Sequence, residues 1–311
     1  MDIPVISLAR PEADIAAAIR TAGMAHGFFY VVDHGVPDAL IARQFAAAAQ
    51  FFALPEATKR ALDLTNSPAR RGWEAIGAQT LDADSEPDRK ESYYCGPDYP
   101  DDHPYVRDRL TNYGGNQWPE GLPGFRAQME AYMAATSALA ERLMRDLACS
   151  LDLPPDTFDA TMADPMLTLR LIRYPPHPED AGPGLFGAGA HTDWGAITIL
   201  AQDDLGGLEV QAADGTWIPA TPVPGSFIVN FGDMIPRWTN GLYRSNPHRV
   251  INANPSGRDR YSIPLFYSPN YYARIEAVAG TVPPGEAPRF SPCTAGEHLD
   301  EMYRKSYGLA A

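Results

Sequence analysis

The chain has 311 residues, 45% of them hydrophobic, which is enough for one large domain or two fused ones with a sizeable core. Its 25 Lys and Arg against 39 Asp and Glu leave a net charge of −14, spread along the sequence, and such a field repels phosphate backbones and anionic lipid, so neither nucleic acid nor a membrane surface is an expected partner. The three cysteines, Cys95, Cys149 and Cys293, form no CxxC pair, the opening "MDIPVISLARPEAD" lacks a basic segment leading into an apolar one, and no run approaches ~18 apolar residues; a cytoplasmic, reducing setting is expected, and the oligomeric state is left open.

In chain order, "IPVISL" predicts a short strand, residues 11–25 a helix with Ile15 and Ile19 on one face, and "GFFYVVDHG" (27–35) a buried strand ended by glycine. "PDALIARQFAAAAQFFAL" (37–54) opens with Pro and Asp and predicts a core helix. Residues 66–124, rich in Gly, Pro, Asp and Tyr with little periodicity, are too long for an idle loop and predict a lid or pocket wall. Residues 124–153 carry apolar side chains three and four apart and predict a long amphipathic helix. From 165 onward, alternating runs separated by "DDLGG", "AADG" and "TPVPG" predict an antiparallel sandwich or barrel. The fold class expected is α+β with a mainly β core.

One strand head raises the question of chemistry. In "FGAGAHTDWGAITIL" (186–200), His191 and Asp193 stand two apart, and in an extended strand i and i+2 point to the same side. A sandwich brings distant strands together, so a third ligand is expected from another, and of the remaining imidazoles (His26, His34, His103, His177, His248 and His298) His248, at a strand start in "SNPHRVI", is best placed. Two histidines and a carboxylate on one octahedral face leave three positions free, the arrangement non-haem Fe(II) uses to hold a chelating cosubstrate beside oxygen. The plainer reading of HxD alone is a turn cap or a solvated pair. Further on, "RDRYSIPLFYSP" sets Arg260 and Ser262 two apart, facing one way. An inward arginine needs a partner. Its planar fork suits a carboxylate, with the serine adding one bond, and an internal Asp or an edge position is the alternative.

Together "HTDWGAITIL", "DDLGGLEV", "VNFGDMI", "RWTNGLYRSNPHRV" and "RYSIPLFY" resemble the isopenicillin N synthase-like family of Fe(II)/2-oxoglutarate-dependent dioxygenases, as do "HGFFYVVDHGVP" and "RYPPHP" upstream. The resemblance runs from about residue 2 to about 270. It implies a double-stranded β-helix, or jelly roll, with surrounding helices and an α/β N-terminal region. The organisation implied is a non-haem dioxygenase N-terminal region over 1–120, a long helix linker over 121–164, the jelly roll over 165–270 and a C-terminal extension over 271–311. It also implies Fe(II) held by His191, Asp193 and His248, 2-oxoglutarate gripped at its distal carboxylate by Arg260 and Ser262 with Tyr174 bonding the same group, and O2 as co-reactant. The reaction implied is oxidation, usually hydroxylation, of a C–H bond of a small-molecule substrate, with release of succinate and CO2. Isopenicillin N synthase and the plant enzyme that makes ethylene from aminocyclopropane carboxylate keep these motifs without 2-oxoglutarate. A 2-oxoglutarate-independent oxidase or cyclase therefore stays open, as does an ethylene-forming enzyme. Ile172 stands where plant flavonoid members often carry Asn.

For the substrate, Arg70 falls where isopenicillin N synthase has an arginine gripping a substrate carboxylate, so Arg70 or Arg71 pointing inward would imply an acidic substrate. Trp194, Tyr93, Phe266 and Trp238 are expected either as pocket walls or as core. His34 is expected to make a structural hydrogen bond, Asp233 to brace a turn with Gly232, Asn230 to serve the cosubstrate or the strand backbone, His177 to be exposed, and the cysteines to be inert.

Overall fold

The computed structural model of the chain describes residues 2–82, 85–110, 113–176, 185–251 and 256–307; the expectation for His177 lies outside them. The N-terminal part runs β1 (Val5–Ser7), α1 (Glu12–Ala25), β2 (Phe28–Val32), α2 (Asp38–Phe52), α3 (Glu56–Ala61), β3 (Gly72–Glu74), β4 (Glu91–Cys95), α4 (Pro104–Arg107) and the long α5 (Phe125–Ser150). The remainder runs β5 (Met166–Tyr174), β6 (Ala188–His191), β7 (Ile197–Gln202), β8 (Leu208–Gln211), β9 (Trp217–Pro219), β10 (Phe227–Phe231), α6 (Met234–Trp238), β11 (His248–Val250), β12 (Arg260–Ser268), β13 (Arg274–Ile275), β14 (Cys293–Thr294) and α7 (Ala295–Tyr307).

Two sheets face each other as a jelly roll. The larger has the order β1-β2-β10-β7-β12-β5-β4-β3, all neighbours antiparallel except β1 and β2; the smaller has the order β6-β11-β8-β9. Helices α1, α2 and α5 cover the outer face of the larger sheet. Their apolar stripes (Ile15 and Ile19; Ala48, Phe51 and Phe52; Met129, Tyr132, Leu143 and Leu147) meet every second residue of the strands, such as Leu169 and Leu171 on β5 and Ile263, Leu265 and Tyr267 on β12. The alternate residues face the smaller sheet. There a second apolar cluster of Phe28, Tyr30, Ile172, Tyr174, Val210 and Val250 walls the space between the sheets.

The stretch 66–124 departs from a purely irregular wall. It contains β3 and β4, which extend the larger sheet beyond β5. Four of the five β4 residues are buried, and a strand covered on both faces shows no apolar–polar alternation to read. Asp33 and Gly35 take left-handed φ values of 55° and 79°, which lets the chain turn sharply out of β2 into α2. The His34 ring accepts from Val36 N at 3.1 Å in that turn, the structural bond expected of it.

Candidate active site

The interior of the jelly roll opens as two joined cavities that share His191 and Asp193. The inner one lies between the sheets and is walled by Tyr174, His248, Arg260 and Ser262; the outer one is walled by residues of the 66–124 stretch, by Trp194 and by α7.

Where the cavities meet, donor atoms of His191, Asp193 and His248 all lie within 4.8 Å of one another. The smaller sheet brings them together: β11 pairs with β6 so that His248 stands opposite His191, and the two rings are 4.3 Å apart. His191 and Asp193 are held by hydrogen bonds that leave one donor of each free, while His248 Nδ1 has no hydrogen-bond partner among the described residues. Nδ1 of His191 lies 2.8 Å from the Gly189 carbonyl, which can only accept, so Nδ1 carries the proton and Nε2 keeps its lone pair. On Asp193, Oδ2 accepts from Thr198 Oγ1 at 2.6 Å and Asn230 Nδ2 at 2.7 Å, while Oδ1 stands 3.8 Å from His248 Nε2. Burial pulls the His191 pKa down, aided by His248. Burial pushes the Asp193 carboxyl up, but the two imidazoles and the Asn230 and Thr198 bonds outweigh it and hold the pKa below the usual carboxylate value. Neutral imidazole beside carboxylate is the protonation state a divalent metal requires. The Asp193 loop is tightly nested: Asp233 N donates to Asp193 O at 2.8 Å, and a Cβ on Gly232 would run into Gly195 O and lie 2.9 Å from Asp193 O. Asp233 takes hydroxyl bonds from Thr192 and Ser245, so it braces this turn as expected, and Asn230 serves Asp193 rather than its own strand.

At the far end of the inner cavity, Arg260 is 1% exposed. Its Nε donates to Gly206 O, its Nη2 lies 3.5 Å from Gln202 Oε1, and its guanidinium carbon sits 4.8 Å from the centre of the Tyr174 ring. Nη1 is buried and has no hydrogen-bond partner among the described residues. No carboxylate among them claims it, and an open guanidinium nitrogen beside Ser262 and Tyr174 fits the carboxylate of a bound acid. Two imidazoles and one carboxylate oxygen likewise fit Fe(II) with a chelating 2-oxo acid.

Arg70, Trp194 and Phe266 all line the outer cavity. Arg70 is exposed, with a φ of 50°, and Trp194 packs edge-on against Tyr303 of α7 at 5.0 Å. Of the two roles open to Tyr93, pocket wall and core, the pocket role is the one the structure overturns. Tyr93 stands opposite Leu171 on the helix-facing side, its ring against Phe51 and Phe125 and its hydroxyl donating to Gln117 O at 2.7 Å, so it is core. Its neighbour Tyr94, opposite Arg170, takes the pocket position, because one residue along a strand exchanges faces. Trp238 is also core, packed on Phe158. Arg71 points inward but donates to Pro97 O, Gly114 O and Asn116 Oδ1, which makes it a clamp for the backbone.

Sequence reasoning did not find Glu74, Gln79 and Arg170, which line the outer cavity as a linked set: Arg170 Nη2 donates at 3.1 Å to both Glu74 Oε2 and Gln79 Oε1. Nor did it find Leu299 and Tyr303 on α7, or the buried pair of Lys90 and Asp88. Arg170 was within reach, since a charged residue inside the apolar run "MLTLRLIRY" is the same kind of signal as Arg260.

Comparison with known proteins agrees with this geometry. Residues 3–121 match the family described as non-haem dioxygenase in morphine synthesis N-terminal, and residues 163–269 match the 2OG-Fe(II) oxygenase superfamily. The chain is 38% identical to the 2-oxoglutarate-Fe(II) type oxidoreductase hxnY of Emericella nidulans, covering 96% of this chain and 86% of that one. It is 36% identical to homoarginine-6-hydroxylase 2-ODD-233 of Oryza sativa subsp. japonica, covering 88% and 83%. Among solved structures, a full-length Neurospora crassa protein in complex with alpha-KG superposes with a TM-score of 0.87 at 30% identity over 98% of this chain and 96% of that one, and the same protein has been solved with alpha-KG and thymine bound. On this footing of sequence, fold and ligand geometry, the chain belongs to the 2OG-Fe(II) oxygenase superfamily and is a 2-oxoglutarate-dependent dioxygenase whose cofactors are Fe(II) and 2-oxoglutarate.

Proposed function

We propose that this dioxygenase hydroxylates a C–H bond of a small polar molecule seated in the outer cavity, releasing succinate and CO2. In this reading His191, Asp193 and His248 hold the iron, and Arg260, Ser262 and Tyr174 hold the distal carboxylate of 2-oxoglutarate in the inner cavity. Bound Fe(II) with 2-oxoglutarate supplies the means to activate oxygen. The chain's own task is placement. Gly189 and Asn230 orient two of the ligands, the buried Arg260 fixes one end of the cosubstrate, and Phe266, which lines both cavities, separates the two molecules.

The observation that carries the reading is the buried Nη1 of Arg260, without a partner among the described residues, in a cavity that also holds the two histidines and the aspartate. It calls for a bound acid in the inner cavity, and the relatives named for 2-oxoglutarate or solved with it favour that cosubstrate over the oxidase or cyclase alternative. The relatives' named ligands, homoarginine and thymine, support a small polar substrate. Arg70, whose side chain makes no hydrogen bond or ion pair among the described residues, suits an anionic group on it. The free cysteines accord with a cytoplasmic setting. Among the described residues no helix is long and apolar enough to cross a membrane.

The test is an anaerobic titration of the apoprotein with Fe(II) and then 2-oxoglutarate, following the weak visible charge-transfer absorption that a 2-oxo acid gives with Fe(II). The absorption should grow to one equivalent, and Arg260→Ala should raise the dissociation constant about a hundredfold. Iron binding with no absorption would return the oxidase or cyclase reading to first place.

A further inference from the structure

A row of side chains crosses three strands of the larger sheet. Arg260 on β12 stands opposite Tyr174 on β5, and Ser262 opposite Ile172. On the next strand Ser92 also opposes Ile172, so Lys90, two residues earlier, continues the row of Arg260 and Tyr174 on the cavity side. Lys90 lines the inner cavity with a side chain only 3% exposed.

The ammonium is held but not satisfied. Of its three N–H groups one goes to Asp88 Oδ2, and no acceptor among the described residues meets the other two. Asp88, fully buried, is fixed in turn by accepting from Gly189 N at 2.9 Å. That places the charged end of Lys90 by Gly189 on β6, two residues ahead of His191. Ile172, which also lines this cavity, has no polar group to offer there. A buried cation with open donors is costly unless an anion or other acceptor meets them.

We propose that Lys90 is a cosubstrate-binding residue, donating from Nζ to the carboxylate at the keto-acid end of 2-oxoglutarate while Arg260 and Ser262 take the distal one. The inference rests on the placement of the cosubstrate in the inner cavity under the proposed function. It also accounts for the charge of that cavity. Lys90, Arg170 and Arg260 with a divalent metal, set against Asp88, Glu74 and Asp193, leave two positive charges, the complement of a dicarboxylate.

The experiment compares the wild-type apoprotein loaded with Fe(II) under anaerobic conditions with Lys90→Met and with the double variant Asp88→Asn/Lys90→Met. The double variant removes the ion pair together and keeps an acceptor for Gly189 N, so it guards against a single variant that fails to fold. Each is titrated with 2-oxoglutarate and with 2-oxopentanoate, which keeps the keto-acid end and lacks the distal carboxylate. Both variants should bind both oxo acids about tenfold or more weakly than wild type at unchanged iron stoichiometry. Unchanged affinity in a variant with native circular dichroism overturns the proposal. A loss confined to 2-oxoglutarate overturns the assignment to the keto-acid end. Arg260→Ala binding 2-oxoglutarate as tightly as wild type removes the underlying placement of the cosubstrate, whatever Lys90 does.

Discussion

The inner and outer cavities share the metal-binding corner but are built from different materials. The inner one is made of strand residues two apart, Arg260 with Ser262 and Ile172 with Tyr174, fixed by ladder hydrogen bonds on both sides. The outer one has β5 and β12 residues such as Thr168, Arg170 and Phe266 on one side and is closed by segments outside the jelly roll: Leu64 and Arg70 before β3, Gln79 and Leu81 after it, Tyr113, and Leu299 and Tyr303 on α7. Under the proposed function, the site that must hold the same cosubstrate every turnover sits on rigid strands, and the one that decides the substrate is closed by loops and a terminal helix, where sequence change costs the core little.

The largest expected effect breaks the corner both cavities share. His248→Ala should lose stoichiometric Fe(II) binding and lower turnover by at least ~1000-fold, while circular dichroism stays native, because the ring packs against Phe28 and His191 at the cavity wall. Metal analysis beside a succinate assay checks this, and retained turnover would sink the ligand assignment. Next, Thr198→Val with Asn230→Ala frees Asp193 Oδ2 from its two donors and should weaken Fe(II) affinity by about 10- to 100-fold with the cosubstrate constant at saturating iron little changed. A third, smaller effect belongs to the outer cavity alone. Tyr303→Ala removes the wall behind Trp194 and should leave Fe(II) and 2-oxoglutarate binding within about twofold while raising substrate KM or the fraction of succinate formed without substrate oxidation. An equal loss of cosubstrate binding would show that the two cavities are not separable.

The smallest effect is on stability. His298 on α7 is buried, and burial, with Arg237 adding to it, lowers its pKa from 6.5 to about 4. The unfolded chain therefore takes up a proton that the folded chain refuses, so stability is complete above pH 6.5, falls as the pH drops from there toward 4, and loses nothing further from this group below. His298→Gln should flatten that part of the melting-temperature profile by a few degrees or less, measured by thermal scans from pH 7 to pH 4.

The same division governs what the sequence discloses. His191 with Asp193 and Arg260 with Ser262 were legible because a period of two is a property of any strand, and an ionisable pair in an apolar run is costly unless it has a purpose. His248 needed only the assumption that strands pair. Tyr93 shows where this reasoning stops: both it and Tyr94 suit a pocket, and only the register of β4 against β5 decides which one faces it. Lys90 and Asp88 were hidden for the same reason, since they precede a strand whose residues are buried on both faces and show no period. Tyr303 was beyond reach, because its role depends on where α7 docks, and helical periodicity fixes a face without naming the partner.

The order of the larger sheet has a consequence for how the chain is made. Strands from the first hundred residues lie at both of its margins, β1 and β2 beyond β10 at one side and β4 and β3 beyond β5 at the other. Those strands are synthesised first, yet β2 and β4 find their central partners only after residues 166–174 and 227–231 have been made. During synthesis they carry open backbone edges that invite pairing with other chains. Once docked, they close the edges of β10 and β5 that the central strands would otherwise expose. Folding must wait for contacts between distant parts of the chain, the kind of topology that folds slowly and gains from protection while it does so. The N-terminal region is thus the two outer edges of one structure, and separate expression of residues 163–311 would leave both edges of its central strands uncovered.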